Sequence, residues 1–462
     1  MLFFVLDYQL IQFLVTLKAL YSIKLKLTKM KKQLGTLLLL SGLATAGLAH
    51  DSGRLIIGGQ LRTRTELRNG QGNDLKIMNT TPGLGTSFRS RLTMDYEKSD
   101  LKIHFSPQVV ATFDGVNIQN QSQLNIFEAY GKYTKDNFNI KIGRQVISHG
   151  DQRILGGLDW ANFGRTHDGA VANYKKGKVN SYLGVVLQSG STGTTGAVSG
   201  ANNNVQTSDI ADNTSRGFQY AWLDTDFGKF KFSGIAMNVL SYQENLNSLD
   251  AKLSAILTLG GMPSYAVNDN LTLAGSFYYQ FGGSAGMGTK TSAHLLSATA
   301  NYKFSDKLSL LAGADLVSGE GSGPTTVAFN PFYGTHHKFY GFMDFFYTPL
   351  GGTDPTDATI GLNDFYLKST IKIKKVTLLA HAHAFFVNKT QSGTGVESMD
   401  LLATELDLVA KLPITKGFGL AAGTSIMTDT KDLRVARGQA DELAGSIGNI
   451  NSWGWLQANF TF

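Results

Sequence analysis

Between Leu61 and Arg68 the chain reads LRTRTELR, with arginine at every second position until Glu66 interrupts the series. In an extended strand successive side chains point to opposite faces. Arg62, Arg64, Glu66 and Arg68 therefore share one face, and Leu61, Thr63, Thr65 and Leu67 the other. The stretch Phe88–Tyr96 repeats the pattern, setting Arg89, Arg91, Thr93 and Asp95 against Phe88, Ser90, Leu92, Met94 and Tyr96. Guanidinium groups at this spacing are permanently charged, planar, bidentate donors, suited to carboxylates. Glu405, Asp407 and Lys411 share an inward face by the same parity, and with Glu66 and Asp95 the acids could hold arginines in place through ion pairs. On that second reading an inward arginine braces the wall and binds nothing.

Other residues with chemical capacity are fewer. His381 and His383 lie two apart on one predicted face, and His336 and His337 are adjacent. Each pair could be metal ligands or polar histidines in a lumen or interface. Asp354 and Asp357 sit in a Gly/Thr/Pro loop that could bind calcium or form a solvated turn. No resident cofactor is otherwise expected. The chain has no cysteine, which excludes disulfide scaffolds, thiolate zinc sites and cysteine nucleophiles. No G-x-S-x-G, H-E-x-x-H or G-x-x-x-x-G-K-[ST] motif occurs. An enzyme would need catalytic groups scattered along the chain, and the expectation is a non-enzyme.

The elements that must position these residues are strands. Period-two segments recur at 179–188, 229–239, 293–304, 308–317, 364–373, 376–387, 399–412 and 418–427. Many approach the roughly 9–11 residues a tilted strand needs to cross a bilayer. Short connectors at 98–100, 135–137, 176–178 and 305–307 alternate with long polar loops such as Ser189–Ser215 and Pro349–Ile360. Short turns at one end and long loops at the other suit an outer-membrane barrel. The spacing predicts about 18 strands, between 16 and 20, with Ser254–Val267 the hardest to assign. The chain closes on NSWGWLQANFTF, an alternating strand with a terminal aromatic.

The N-terminal region reads as processing signal. From Met30 the chain has a basic start (Lys31, Lys32), an apolar run from Leu34 to Leu48, and small residues Gly47 and Ala49 at cleavage spacing. Residues 1–29 then precede a normal start and 30–49 form a secretory signal. The expected mature protein, 50–462, is one barrel domain. The net charge of +7 misleads, because residues 1–49 carry six lysines and one aspartate, leaving 36 basic against 34 acidic residues. A broad basic surface for nucleic acid is unsupported.

Residues 141–170, KIGRQVISHGDQRILGGLDWANFGRTHDGA, are more specific. They resemble the alginate export family of outer-membrane proteins through Gly143, Arg144, Gln145, Asp151, Arg153, Trp160, Arg165, Asp168 and Gly169. NPFYGTHHKFYGFMDFF (330–346) and ELDL (405–408) are similar to later signatures. The resemblance implies an all-β, 18-stranded barrel whose charged constriction passes an anionic uronic-acid polysaccharide. Arg62, Arg64, Arg68, Arg89, Arg91, Arg144, Arg153 and Arg165 are then the candidate lining. Many moderate sites would let a polymer pass where one tight site would trap it. Arg144 shares its parity with Phe138, Ile140 and Ile142, so only a bulge at Gly143 would turn it inward. The expected protein is a monomer in the outer membrane of a Gram-negative bacterium, in contact with lipid and open to a periplasmic export partner. The rivals are a general or solute-uptake porin and a barrel enzyme.

Overall fold

The alternating segments become strands in the computed structural model, which describes residues 53–70, 82–113, 121–187, 215–243, 252–283, 290–319, 328–346, 360–390, 394–436 and 450–462. The strands are β1 (Arg54–Asn69), β2 (Gly83–Lys98), β3 (Leu101–Phe113), β4 (Gln121–Lys135), β5 (Phe138–Gln145) and β6 (His167–Lys176). Next come β7 (Val179–Leu187), β8 (Ser215–Phe227), β9 (Phe230–Gln243), β10 (Lys252–Ala266), β11 (Leu271–Gly283) and β12 (Lys290–Ser305). The chain finishes with β13 (Leu308–Val317), β14 (Leu362–Ile373), β15 (Val376–Val387), β16 (Leu401–Thr415), β17 (Phe418–Asp429), a short helix α1 (Lys431–Ala436) and β18 (Ile450–Thr461). The region hardest to read, around Ser254, is β10, where Gly260, Gly261 and Pro263 dilute the alternation.

Each strand pairs antiparallel with its sequence neighbours, and β18 pairs with β1 in the register Leu61↔Phe460 through Arg68↔Trp453. Closure leaves no edge, so every ladder group has a partner, as a strand structure in lipid requires. Leu61, Leu67, Leu124, Leu183 and Leu456 stand exposed on the outer face. Arg62, Arg64 and Glu66 alternate with them and are buried. Among the described residues no helix is long and apolar enough to cross a membrane.

Eight connections, all from an even to the next odd strand, are tight turns of two to four residues. The turns at Ser99, Asp136, Gly177 and Lys374 use positive φ (49°, 51°, 58° and 53°), which lets a two-residue link reverse the chain. Connections at the opposite end are longer. Two of them fold into the lumen: residues 146–166 between β5 and β6, and 328–346 between β13 and β14. They meet as a short parallel bridge at Leu155 and Tyr333, with Gly156 N–H donating to the Tyr333 carbonyl (2.9 Å) and Thr335 N–H to that of Gln152 (2.8 Å).

The bridge is packed from both sides. Ile154, Leu155, Phe332, Tyr333, Phe345 and Phe346 from the inserted segments join Phe218, Tyr220, Tyr278, Leu295 and Phe385 from the wall in one buried cluster. The lumen over this arc is therefore largely a hydrophobic core, with buried charged groups such as Arg153 and Asp315 set into it. Residues 1–52, most of Ser189–Ser215 and Pro349–Ile360, and Asp354 with Asp357, lie outside the described residues.

Candidate functional site

The arginine ladder converges on one short piece of the inserted 146–166 loop. Arg62 donates from Nη1 to the Asp159 carbonyl (2.7 Å) and from Nη2 to that of Ala161 (2.9 Å). Arg64 donates to the Trp160 carbonyl (2.9 Å), and its guanidinium lies over the Trp160 ring at 4.2 Å. Arg89 reaches the same two carbonyls as Arg62 (3.1 and 3.3 Å), bonds Gln60 (2.5 Å) and pairs with Asp159 at 3.0 Å. Arg91 donates to Gln108 (2.6 Å), approaches Asp159 (3.4 Å) and covers the Phe127 ring. The strand pattern sends four guanidinium groups inward; the chain turn at 159–161 supplies the carbonyls that receive three of them.

Four arginines gathered here meet few acids. Asp159 faces Arg89 and Arg91 with its side chain 68% exposed, and Glu66 pairs with Arg64 (3.5 Å) and Arg68 (3.0 Å). The cluster keeps a net positive charge, and the half-exposed Arg68 with the rim of Arg91 present it to solvent. Trp160 is the hinge of the assembly. Its ring stacks on His337 from the second inserted segment (centroids 4.7 Å apart) and meets Trp455 of β18 edge-on at 4.9 Å.

Arg153 and Arg165 latch the two inserted segments. Arg153 donates from Nη2 to both carboxylate oxygens of Asp315 of β13 (2.8 and 2.7 Å) and from Nη1 to the Tyr340 hydroxyl (3.1 Å), and lies against the Phe339 ring. Burial opposes its charge, but Asp315, Tyr340 and Asp151 outweigh burial and hold its pKa well above the usual arginine value. Arg165 donates to the Gly334 carbonyl (2.7 Å). Beside it the His336 imidazole is buried, and burial followed by the Arg165 charge pulls its pKa down to about 3.

Arg144 departs from the expected lining. Its register runs unbroken against Ala129 and Asp168 from Phe138 to Gln145, so no extra residue turns it inward. Gly143 adopts φ +124°, yet the count of residues is unchanged. Arg144 stays on the parity of Phe138 and Ile142 and forms a fork with Asp168 (2.8 and 2.7 Å). Asp95 is also apart from the cluster, bonded to His104 (2.6 Å) and Lys102 (2.9 Å) near a tight turn.

Glu405 and Asp407 lie on a different arc. Both are buried on β16, where Glu405 accepts from Met343 N–H (2.8 Å) and Asp407 from the Ser425 hydroxyl (2.5 Å). Asp364 of β14 and Asp315 of β13 extend this arc into an acidic wall. Sequence reasoning passed over Asp315, Asp364, Asp159 and Tyr340. For the first two a signal existed, an acid at an inward position of a strand, most clearly for Asp315 in the otherwise apolar β13. For Asp159 and Tyr340 none did, because loop paths carry no period.

A family model described as alginate export matches residues 54–428. No curated protein matches the chain. Among solved structures it is similar to OccK2 (OpdF) of Pseudomonas aeruginosa, in complex with glucuronate, at 12% identity and a TM-score of 0.56, covering 88% of this chain and 98% of that one. OccAB4 of Acinetobacter baumannii gives 12% identity and 0.56 over 90% and 100% of the two chains. The outer membrane protein OpdK of Pseudomonas aeruginosa gives 10% and 0.54 over 88% and 99%. At these identities the likeness is one of fold, and it is the fold of outer-membrane barrels. The family match spans all but the last strand and the N-terminal region, and the chain belongs to the alginate export family.

Proposed function

We propose that the protein is a passive outer-membrane channel for anionic saccharides of the alginate type, with the β1–β2 arginine cluster setting its anion preference. The observation that carries this reading is the gathering of Arg62, Arg64, Arg89 and Arg91 around residues 159–161 with Asp159 and Glu66 as the acids paired to them and Glu128 nearby. A uronic acid carries one carboxylate per sugar, and guanidinium groups spread along a path would hand it on. The presence of glucuronate on OccK2 is in keeping with a uronate passing through a barrel of this shape.

A second reading within the channel class is uptake of short solutes. The two inserted segments occupy much of the lumen over β7–β16, which favours single sugars or short oligomers over a polymer. On either reading the protein is a transporter without a catalytic step. The mature chain begins near His50, the barrel works as a monomer in a Gram-negative outer membrane, and the long connections face outward.

Planar-bilayer reversal potentials, followed by block with oligouronates and neutral oligosaccharides of equal length, test the proposal. Anion preference with block by oligouronates alone is expected. Cation preference, or equal block by both sugars, overturns it. Length dependence separates the two readings, because a path for short solutes excludes long oligomers.

A further inference from the structure

The acidic wall holds a group of side chains that the channel reading does not use. His381 and His383 on β15 face the same way, and the register sets His381 opposite Asp407 and His383 opposite Glu405 on β16. One ligating atom from each of His381, His383 and Asp407 lies within 4.8 Å of the other two. Asp407 is 1% exposed, and its Oδ2 accepts no hydrogen bond; neither does Oε2 of the neighbouring buried Glu405, and Nδ1 of His381 likewise has no partner. Glu405 and Asp407, two residues apart on one strand face, bear on each other directly, and either a proton held between them or a cation beside them would compensate their charge. Leaving such atoms uncompensated is costly.

We propose that His381, His383 and Asp407 form a binding site for a divalent transition-metal ion of the zinc class. Two imidazoles and one carboxylate are a borderline-soft donor set of that kind, whereas calcium and magnesium favour oxygen alone. Histidines two apart on a strand share a face, and the antiparallel partner brings the carboxylate across. Metal bonds near 2.0–2.1 Å place tetrahedral ligands roughly 3.4 Å apart, so atoms within 4.8 Å of one another need to close by up to about 1.4 Å.

The surroundings fit the assignment. Nδ1 of His383 is hydrogen-bonded to both oxygens of Asp364 (2.9 Å each), which fixes the ring and points Nε2 toward the site. A carboxylate behind a ligating histidine is the usual outer support of such sites. Phe342 packs against the ring of the partly buried His381 (5.1 Å) and covers one side of it. Glu405 stands one strand position away to supply a fourth ligand or hold a water. Lys368, across β14–β15 from His381 and 4.6 Å over the Tyr366 ring, is the competing cation. A bound ion would drive its ammonium away, so removing it strengthens binding.

The test uses untagged full-length barrel, purified in detergent, stripped with chelator and titrated with zinc chloride by calorimetry, with metal content measured after dialysis. One zinc per chain at micromolar affinity is expected. H381N and D407N each weaken it at least tenfold, D364N about tenfold through the lost support of His383, and K368Q tightens it. Heat-modifiable gel migration reports folding for each variant. Should the variants fail to fold, X-ray absorption of the zinc complex of the unaltered chain decides, with two imidazole nitrogens expected. No saturable zinc, undiminished binding in folded H381N, or fewer than two imidazoles overturns the proposal. The channel reading stands or falls separately, since it rests on the arginine arc.

Discussion

The arginine arc on β1 and β2 and the acidic arc on β13–β16 both place charged residues on inward strand positions, and they end in different states. Arg62, Arg64 and Arg89 are buried, and each donates to main-chain carbonyls of residues 159–161. Glu405 and Asp407 are as deeply buried and keep oxygens with no donor. The difference follows from reach and valence. A guanidinium carries five donors on a long stem and can find carbonyls on a distant loop, while a short carboxylate depends on donors brought to it. The arginines can therefore clamp an inserted loop and still leave net charge, whereas the acids depend on Lys368, on each other or on a bound cation for compensation.

The sharpest way to break this contrast is to change Arg62, Arg64, Arg89 and Arg91 together to Gln. The barrel should still insert, since substitutions in a lumen alter selectivity more than stability. If the four arginines both clamp the loop and set the field, unit conductance rises several-fold and the reversal potential moves toward cations, most strongly at low salt, where screening is weakest. A change in conductance with unaltered selectivity would reduce them to braces.

Asp315→Asn tests the other latch. It leaves the Arg153 guanidinium buried without its main counter-charge, a loss on the order of 3–5 kcal/mol for a buried pair. The 146–166 loop should then become accessible to protease in an otherwise intact barrel. Resistance equal to that of the unaltered protein would mean that packing at Leu155 and Tyr333 suffices.

Removing charge from the acidic arc with Asp407→Asn should move the reversal potential toward anions. The shift should be smaller than that of the arginine change, because Lys368 and Lys411 already offset part of the field. An equal or larger shift would make the acidic arc the true selectivity element.

The smallest effect concerns pH. Burial lowers the His336 imidazole to about 3 and that of His149, on the other inserted segment, to about 4. Released from the fold, each binds a proton near pH 6.5, so the undocked state takes up more protons between that value and the folded ones, and docking weakens as pH falls through the window. Conductance should rise modestly from pH 7 to pH 4, and H149Q/H336Q should flatten the rise. An unchanged slope would place the pH response elsewhere.

Much of this architecture is local and was open to reading in the sequence. Period two decides both that Arg62 and Leu61 occupy a strand and that they face opposite ways, because pleating is a property of the backbone. The tight turns at 98–100, 135–137, 176–178 and 305–307 were marked by their own residues for the same reason. Parity also warned that Arg144 shares a face with Ile142, and the unbroken register keeps it there with Asp168.

Contacts between distant segments carried no such mark. The sequence determined strands, faces and turns, where each residue interacts with neighbours at a fixed spacing. Only the tertiary structure decided that the 146–166 loop enters the lumen, that Arg153 meets Asp315 at a separation of 162 residues, and that His381 stands opposite Asp407. Those partners are selected by closing the barrel and filling its interior, and burial and charge pairing over that distance leave no period in the chain.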